Sequence, residues 1–196
     1  MADDQIFRLI LIAGFAIIMP PVIYHRVKSQ ASGESLDRRQ EGLFVLATLR
    51  PLALASMFGL IAYTINPASM AWSAVVLPAW VRWLGVGVGV ATGSLLIWTM
   101  HTLGKNLTDT VVTRKDHDLV TGGPYRFVRH PFYCAFILAV LANSTVSGNW
   151  FILLTGVSAW LVMVFRTNKE EENLIARFGD DYRGYMEHTG RFFPRL

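Results

Sequence analysis

This chain lacks most of what a water-soluble domain needs. Charged residues make up only 16% of its 196 residues, against about 25% in soluble domains, too few to cover a globule in water. Cysteine occurs once, at Cys134, which excludes an internal disulfide and any cysteine-cluster zinc site. No two histidines have metal-ligand spacing such as i, i+4 on a helix, so no metal is expected. No internal repeat and no low-complexity tract is present. Disorder is excluded as well, because 53% of the residues are hydrophobic and so apolar a chain does not stay unfolded. The net charge is +4, and no nucleic-acid partner is expected.

What the chain does have is long apolar runs. Five of them approach the ~20 residues needed to cross a bilayer, at about 6–24, 43–65, 79–100, 131–147 and 150–165. The first follows Asp3-Asp4 rather than the basic start of a signal peptide, so it is read as a span. Ser147-Gly148-Asn149 is a tight turn signal, which joins the last two runs into a hairpin of helices short for full crossing. Fifteen of the 18 Lys and Arg lie in segments 25–42, 101–130 and 166–196, while 66–78 and 144–149 hold none. The positive-inside rule then puts the N-terminus outside and the C-terminus in the cytoplasm. The membrane would be the inner membrane of a bacterium or the endoplasmic reticulum of a eukaryote. Trp72, Trp80, Trp83 and Trp150 fall near the outer boundary, as an aromatic belt does. Spans take about 100 residues at ~20 per helix. The expectation is one all-α, membrane-embedded domain over 1–196, with five transmembrane helices, a cytoplasmic loop and a helical tail. Membrane lipids surround it.

Chemistry must therefore come from loop 101–130, the tail and the inner helix ends. The loop is dense in His, Arg and Gly. Gly122-Gly123-Pro124 forces a turn that folds it back over the membrane surface. Pro131 suits the first position of the next helix, whose N-terminus, flanked by Arg129 and His130, could seat an anion. In the tail, Arg166 and Glu170 are four apart and share a helical face. Either they form a salt bridge, or Arg166 holds a substrate carboxylate while Glu170 holds a cationic or hydroxyl-bearing group. Leu174, Ile175, Phe178, Tyr182, Tyr185 and Met186 recur at helical spacing as an amphipathic stretch. Gly179 should break it, and Asp180 can cap a second short helix. Phe192-Phe193-Pro194 is either a lid or an interfacial anchor. Arg50, inside the second span, is a functional suspect or a snorkelling side chain. Gly85, Gly89 and Gly93 form a small-residue face for helix packing or a cofactor contact. Arg8 and Arg82 read as snorkelling anchors, and Cys134 as a buried apolar residue.

The order of these residues resembles the signature of isoprenylcysteine carboxyl methyltransferases. The first block is His117-Asp118-Leu119-Val120-Thr121, then Gly123-Pro124-Tyr125, then Arg129-His130-Pro131-Phe132-Tyr133. The second is Arg166, Glu170-Glu171, Leu174, Phe178-Gly179, Tyr182, Tyr185 and a closing Arg191-Phe192 with Pro194. The likeness runs over roughly 103–194. It implies an integral membrane enzyme that uses S-adenosyl-L-methionine, with a cofactor region formed by 101–133 and 166–194. By the resemblance, His117, Asp118, Leu119, Val120, Tyr125, His130, Pro131, Phe132, Tyr133, Glu170 and Glu171 contact the cofactor, and Arg166 takes the substrate carboxylate. The related phosphatidylethanolamine methyltransferases use a Gly-x-Gly on an earlier span, here Gly85-x-Gly87-x-Gly89.

The implied reaction needs no metal, because a sulfonium methyl is already activated. A free carboxylate, with a pKa of about 3.5, is ionised at neutral pH and needs no general base, whereas an amine or thiol acceptor needs one. The acceptor is expected to be a lipophilic substrate entering from the bilayer, most simply an isoprenylcysteine-like acid. A phospholipid or small-amine methyltransferase keeps the same cofactor site with a different cavity. An NADPH-dependent reductase of the sterol-reductase type is the rival enzyme class, and a non-enzymatic membrane subunit the rival outside enzymes.

Overall fold

The structure, a computed structural model, describes residues 2–30, 43–104 and 118–195. Six helices account for most of them: α1 (Ala2–Gln30), α2 (Leu43–Ile65), α3 (Ala79–Leu103), α4 (Pro131–Ser147), α5 (Trp150–Phe178) and α6 (Asp180–His188). Short 3-10 turns cover Pro67–Ser73 and Gly123–Arg126. The only β-type pairings among the described residues are two isolated bridges, one of them between Val128 and Gly190.

Local chemistry explains the element boundaries. Pro131 opens α4 at a position where its missing N–H costs nothing. Gly148 closes α4 in the left-handed region at φ 59°, where Gly alone is unstrained. A Cβ there would also press on the Val75 carbonyl. Asn149 then caps α5, its side-chain oxygen accepting from the backbone N–H groups of Phe151 and Ile152. The turn expected at Ser147-Gly148-Asn149 is thus present.

Four helices, α1, α2, α3 and α5, are long and apolar enough to cross a membrane, while α4 has only 17 residues. Among the described residues, four helices of spanning length thus stand where five spans were expected, with α4 apolar but short. The fifth span was expected to end near 165, but α5 runs unbroken for 29 residues to Phe178. Falling hydropathy after Phe165 marks departure from the apolar layer, not the end of hydrogen bonding, and no Gly or Pro interrupts the chain before Gly179. Gly179, at φ 57°, makes the break and also stands in the cap position of α6. Asp180 is not the cap. It lies in the first turn, where its charge suits the helix dipole.

α3 packs along α4, α2 along α5, and α4 along α5, with α1 less tightly held. Cβ atoms added at Gly85 and Gly89 would meet α4, at Val146 and Ala142, and one at Gly93 would meet Ile18 of α1. These glycines face neighbouring helices, the packing alternative. Outward faces are apolar: Leu9, Ile17, Phe58, Val90, Leu154 and Phe165 are all exposed. Such a surface is stable against lipid and not against water. With the apolar helices, it makes this an integral membrane protein.

The end of the bundle that carries 66–78 is termed distal, the opposite end proximal. Trp72 and Trp150 meet edge to face at the distal end, 5.5 Å between centroids. Arg82 was expected to snorkel there, but it is buried. Its guanidinium donates to the Val146 carbonyl at 2.9 Å, Asp4 at 2.7 Å and the Tyr63 hydroxyl at 3.2 Å, and it lies 4.0 Å from the Phe7 ring centre. One side chain thereby ties α1, α2, α3 and α4 together. Arg8 likewise does not snorkel: it donates to the carbonyls of Thr64 and Ile65 at 2.7 Å each, capping the C-terminus of α2.

Candidate functional site

The proximal end gathers the N-terminus of α4, the polar half of α5 and the C-terminal segment. The residue before Pro131 is held out of the helical region, and His130 takes that place with φ −124°. Its ring turns to α5, with Nε2 3.2 Å from Glu171 Oε1 and Nδ1 3.9 Å from Glu170 Oε1. One turn earlier on α5 stands Arg166. Its Nε donates to the Tyr133 hydroxyl at 3.0 Å, and that hydroxyl donates to Glu170 Oε2 at 2.6 Å. Arg166 and Glu170 are therefore coupled through a phenol from α4. The i, i+4 spacing correctly puts both on one side of α5, but a residue far away in sequence bridges them. The Trp160 indole N–H donates to the Tyr133 carbonyl at 3.1 Å, locking α4 to α5 just below.

Glu170 and Glu171 are adjacent but differ in environment. The Glu170 side chain is 26% exposed, that of Glu171 only 4%. Arg129 Nε donates to Glu171 Oε1 at 2.9 Å, and the Arg191 guanidinium pairs with Oε2. With His130, three side chains thus converge on one buried carboxylate. Glu171 had been expected to face a cofactor. Its oxygens meet Arg129, His130 and Arg191 of its own chain.

The segment after α6 forms a strap across the start of α4. Backbone N–H groups of Arg129 and His130 donate to the carbonyls of Gly190 and Arg191, at 2.9 and 3.1 Å. Arg129 also donates to the carbonyls of Met186 and Thr189. Phe192 then stacks on Tyr133, 6.3 Å between centroids and 20° between planes, and packs against His130 and Trp160. Phe193 points outward. The apolar end thus divides into one inward ring and one outward one.

Tyr125 sits in the turn Gly123–Arg126, and its carbonyl accepts from the Tyr185 hydroxyl at 2.6 Å. Burial pushes the Tyr125 phenol well above its usual pKa, and the charges of Glu170 and Tyr185 push the same way. Burial also raises Tyr185, to about 12, against the opposing Arg129. These phenols stay protonated at neutral pH.

Among the residues expected from sequence, Tyr125, His130, Tyr133, Arg166, Glu170 and Glu171 meet at this end. Pro131 is buried and Phe132 half-buried. Asp118 is exposed, with Leu119 and Val120 half-buried. His117 lies outside the described residues. Arg50 is exposed on α2. The roles of Arg129, Trp160 and Arg191 were not anticipated. No local spacing announces them, since each acts on a residue at least 20 positions away.

Residues 84–176 match the model of the isoprenylcysteine carboxyl methyltransferase family. A protein-S-isoprenylcysteine O-methyltransferase of Schizosaccharomyces pombe is 36% identical over 100 residues, 50% of this chain and 42% of that protein. A methanethiol S-methyltransferase of Pseudomonas deceptionensis is 30% identical over 117 residues, 58% of this chain and 44% of that one. This chain thus spans less than half the length of either relative. The fold resembles that of a eukaryotic intramembrane Ras methyltransferase, with a TM-score of 0.58 at 22% identity, over 94% of this chain and 67% of that one.

Proposed function

We propose that this chain is a single membrane-embedded domain that methylates a lipophilic acceptor with S-adenosyl-L-methionine, the acceptor being an isoprenylcysteine-like carboxylate. The observation that carries this reading is the hydrogen-bonded series Arg166–Tyr133–Glu170 at the proximal end. It sets a cation for an acid beside a partly exposed carboxylate for a cationic or hydroxyl-bearing group. The matches to methyltransferases support the same reading. The rule of basic segments puts this end in the cytoplasm.

The donor set fits that cofactor. Glu170 keeps part of its carboxylate open and can accept from an ammonium or from ribose hydroxyls. By the resemblance Tyr125, His130 and Tyr133 contact the cofactor as well; Tyr125 is half-buried, while the rings of His130 and Tyr133 are packed against Phe192. Asp118, Leu119, Val120, Pro131 and Phe132 join them by the resemblance, as does His117. The bound cofactor would supply an activated methyl group. Arg166 holds an ionised acid against the boundary by its fork of donors. Tyr133 keeps Arg166 and Glu170 at a fixed separation, which serves alignment, worth up to ~7–11 kcal/mol in well-oriented reactants. The apolar part of the acceptor stays in the bilayer and approaches from the side.

The test is labelled methyl transfer from S-adenosylmethionine to prenylcysteine mimics, simple thiols and lipid extracts, with the protein in nanodiscs. Transfer to the prenylcysteine carboxylate is expected. Binding of NADPH without binding of S-adenosylhomocysteine would overturn the reading.

A further inference from the structure

Glu171 meets three side chains at the proximal end, yet alignment of a methyl donor and an acceptor gives it nothing to do. Its partners show what it holds. Arg129 and His130 belong to the start of α4, and Arg191 belongs to the strap. Arg191 donates in addition to Asn168 on α5 at 2.9 Å. The same strap is joined to residues 129 and 130 through its backbone. Three chain segments therefore meet on one buried carboxylate, and the outcome is the placement of the Phe192 ring on Tyr133 and His130.

We infer that Glu171 is a positioning residue: it clamps the C-terminal strap onto α4 so that Phe192 completes the aromatic wall of the site. This rests on the methyl-donor reading above. Charge is what the clamp uses, because a neutral side chain of the same shape would leave the buried Arg129 guanidinium without a counter-charge. Gly190 fits the close pass of the strap, since a Cβ there would collide with the Phe193 carbonyl. With the strap docked, Tyr133 is stacked on one side and hydrogen-bonded at its hydroxyl, so the ring that links Arg166 to Glu170 has one orientation.

The protein carries its own reporter of strap docking. Cys134 is its one cysteine, and its thiol donates to the Phe192 carbonyl at 3.3 Å. Release of the strap uncovers that sulfur. The experiment measures two quantities on the full-length protein in nanodiscs: the rate of Cys134 labelling by N-ethylmaleimide, and the affinity for S-adenosylhomocysteine by calorimetry. Both are read for the wild type, Glu171→Gln, Arg191→Ala and Phe192→Ala. Arg191→Ala leaves Arg129 and His130 on Glu171 and keeps a folded variant in hand if Glu171→Gln does not fold.

Glu171→Gln and Arg191→Ala are expected to label about tenfold faster and to bind about tenfold more weakly, a factor worth about 1.4 kcal/mol. Phe192→Ala is expected to lose the affinity without losing the fold. S-adenosylhomocysteine should slow labelling of the wild type and not of Arg191→Ala. Weaker binding with unchanged labelling would overturn the inference and make Glu171 a direct contact of the cofactor. Faster labelling with unchanged affinity would also overturn it, by separating the strap from the site. A wild type that binds no S-adenosylhomocysteine would instead sink the methyl-donor reading, and the labelling rates would still decide whether Glu171 holds the strap.

Discussion

The two ends of the bundle each contain one buried charged side chain that draws several segments together, and they differ in how the charge is met. At the distal end Arg82 has a single anion, Asp4, and fills its other directions with a carbonyl, a phenol and an aromatic face. The result is a structural knot. At the proximal end Glu170 and Glu171 stand among Arg129, Arg166 and Arg191, with His130 between them. Among the described residues Arg129 and Arg191 pair with Glu171, Arg166 reaches Glu170 through Tyr133, and the Glu170 carboxylate is partly open. The distal knot is closed, whereas the proximal cluster keeps one carboxylate partly exposed, where a ligand can reach it. Burial of charge alone does not identify a site; a partly open ionisable group beside it points to one.

That contrast can be broken at several points. The largest effect is expected for Glu171→Leu, which strands the buried Arg129 beside His130. About 3–5 kcal/mol of stability should be lost, visible as a lower melting temperature in nanodiscs together with lost methyl transfer. Glu170→Gln should hardly move the melting temperature, since its carboxylate is already partly in water. S-adenosylhomocysteine affinity should fall about a hundredfold, or about 2.7 kcal/mol, and an unchanged dissociation constant would reassign Glu170. Arg166→Ala removes a charged donor worth about 1.5–3 kcal/mol. It should raise KM for a prenylcysteine acid at least tenfold while changing the affinity for S-adenosylhomocysteine less; untouched turnover of that acid would remove its assigned role. The smallest effect is expected for Asp4→Asn. Its carboxylate is 58% exposed, so the change should cost under about 1 kcal/mol and leave methyl transfer as it was. A larger loss of transfer than of stability in that variant would join the two ends functionally and erase the contrast.

Much of the frame was legible because it depends on local chemistry. α2 and α4 begin and end where the apolar runs, Pro131 and Gly148 put them. The end of α5 was legible in Gly179, but the drop in hydropathy at Arg166 hid it, since hydropathy reports the solvent and not the backbone. The site was half legible. His130, Tyr133, Arg166 and Glu170 could be named from two motif blocks, and they meet. The phenol between Arg166 and Glu170, the pairing of Glu171 with Arg191, and the Asp4 contact of Arg82 depend on partners 20 to 78 residues away. No spacing rule along one helix reaches that far.

The uninterrupted α5 has one more consequence. From the Asn149 cap to Glu170 are 21 residues of continuous helix, about 32 Å at 1.5 Å per residue, close to the ~30 Å of a hydrocarbon layer. The helix is a ruler: it fixes the height and the bearing of the carboxylate above the lipid tails by residue count alone. A single residue inserted between Gly156 and Phe165 would turn Glu170 by about 100° and aim it away from Tyr133, without touching any residue of the site.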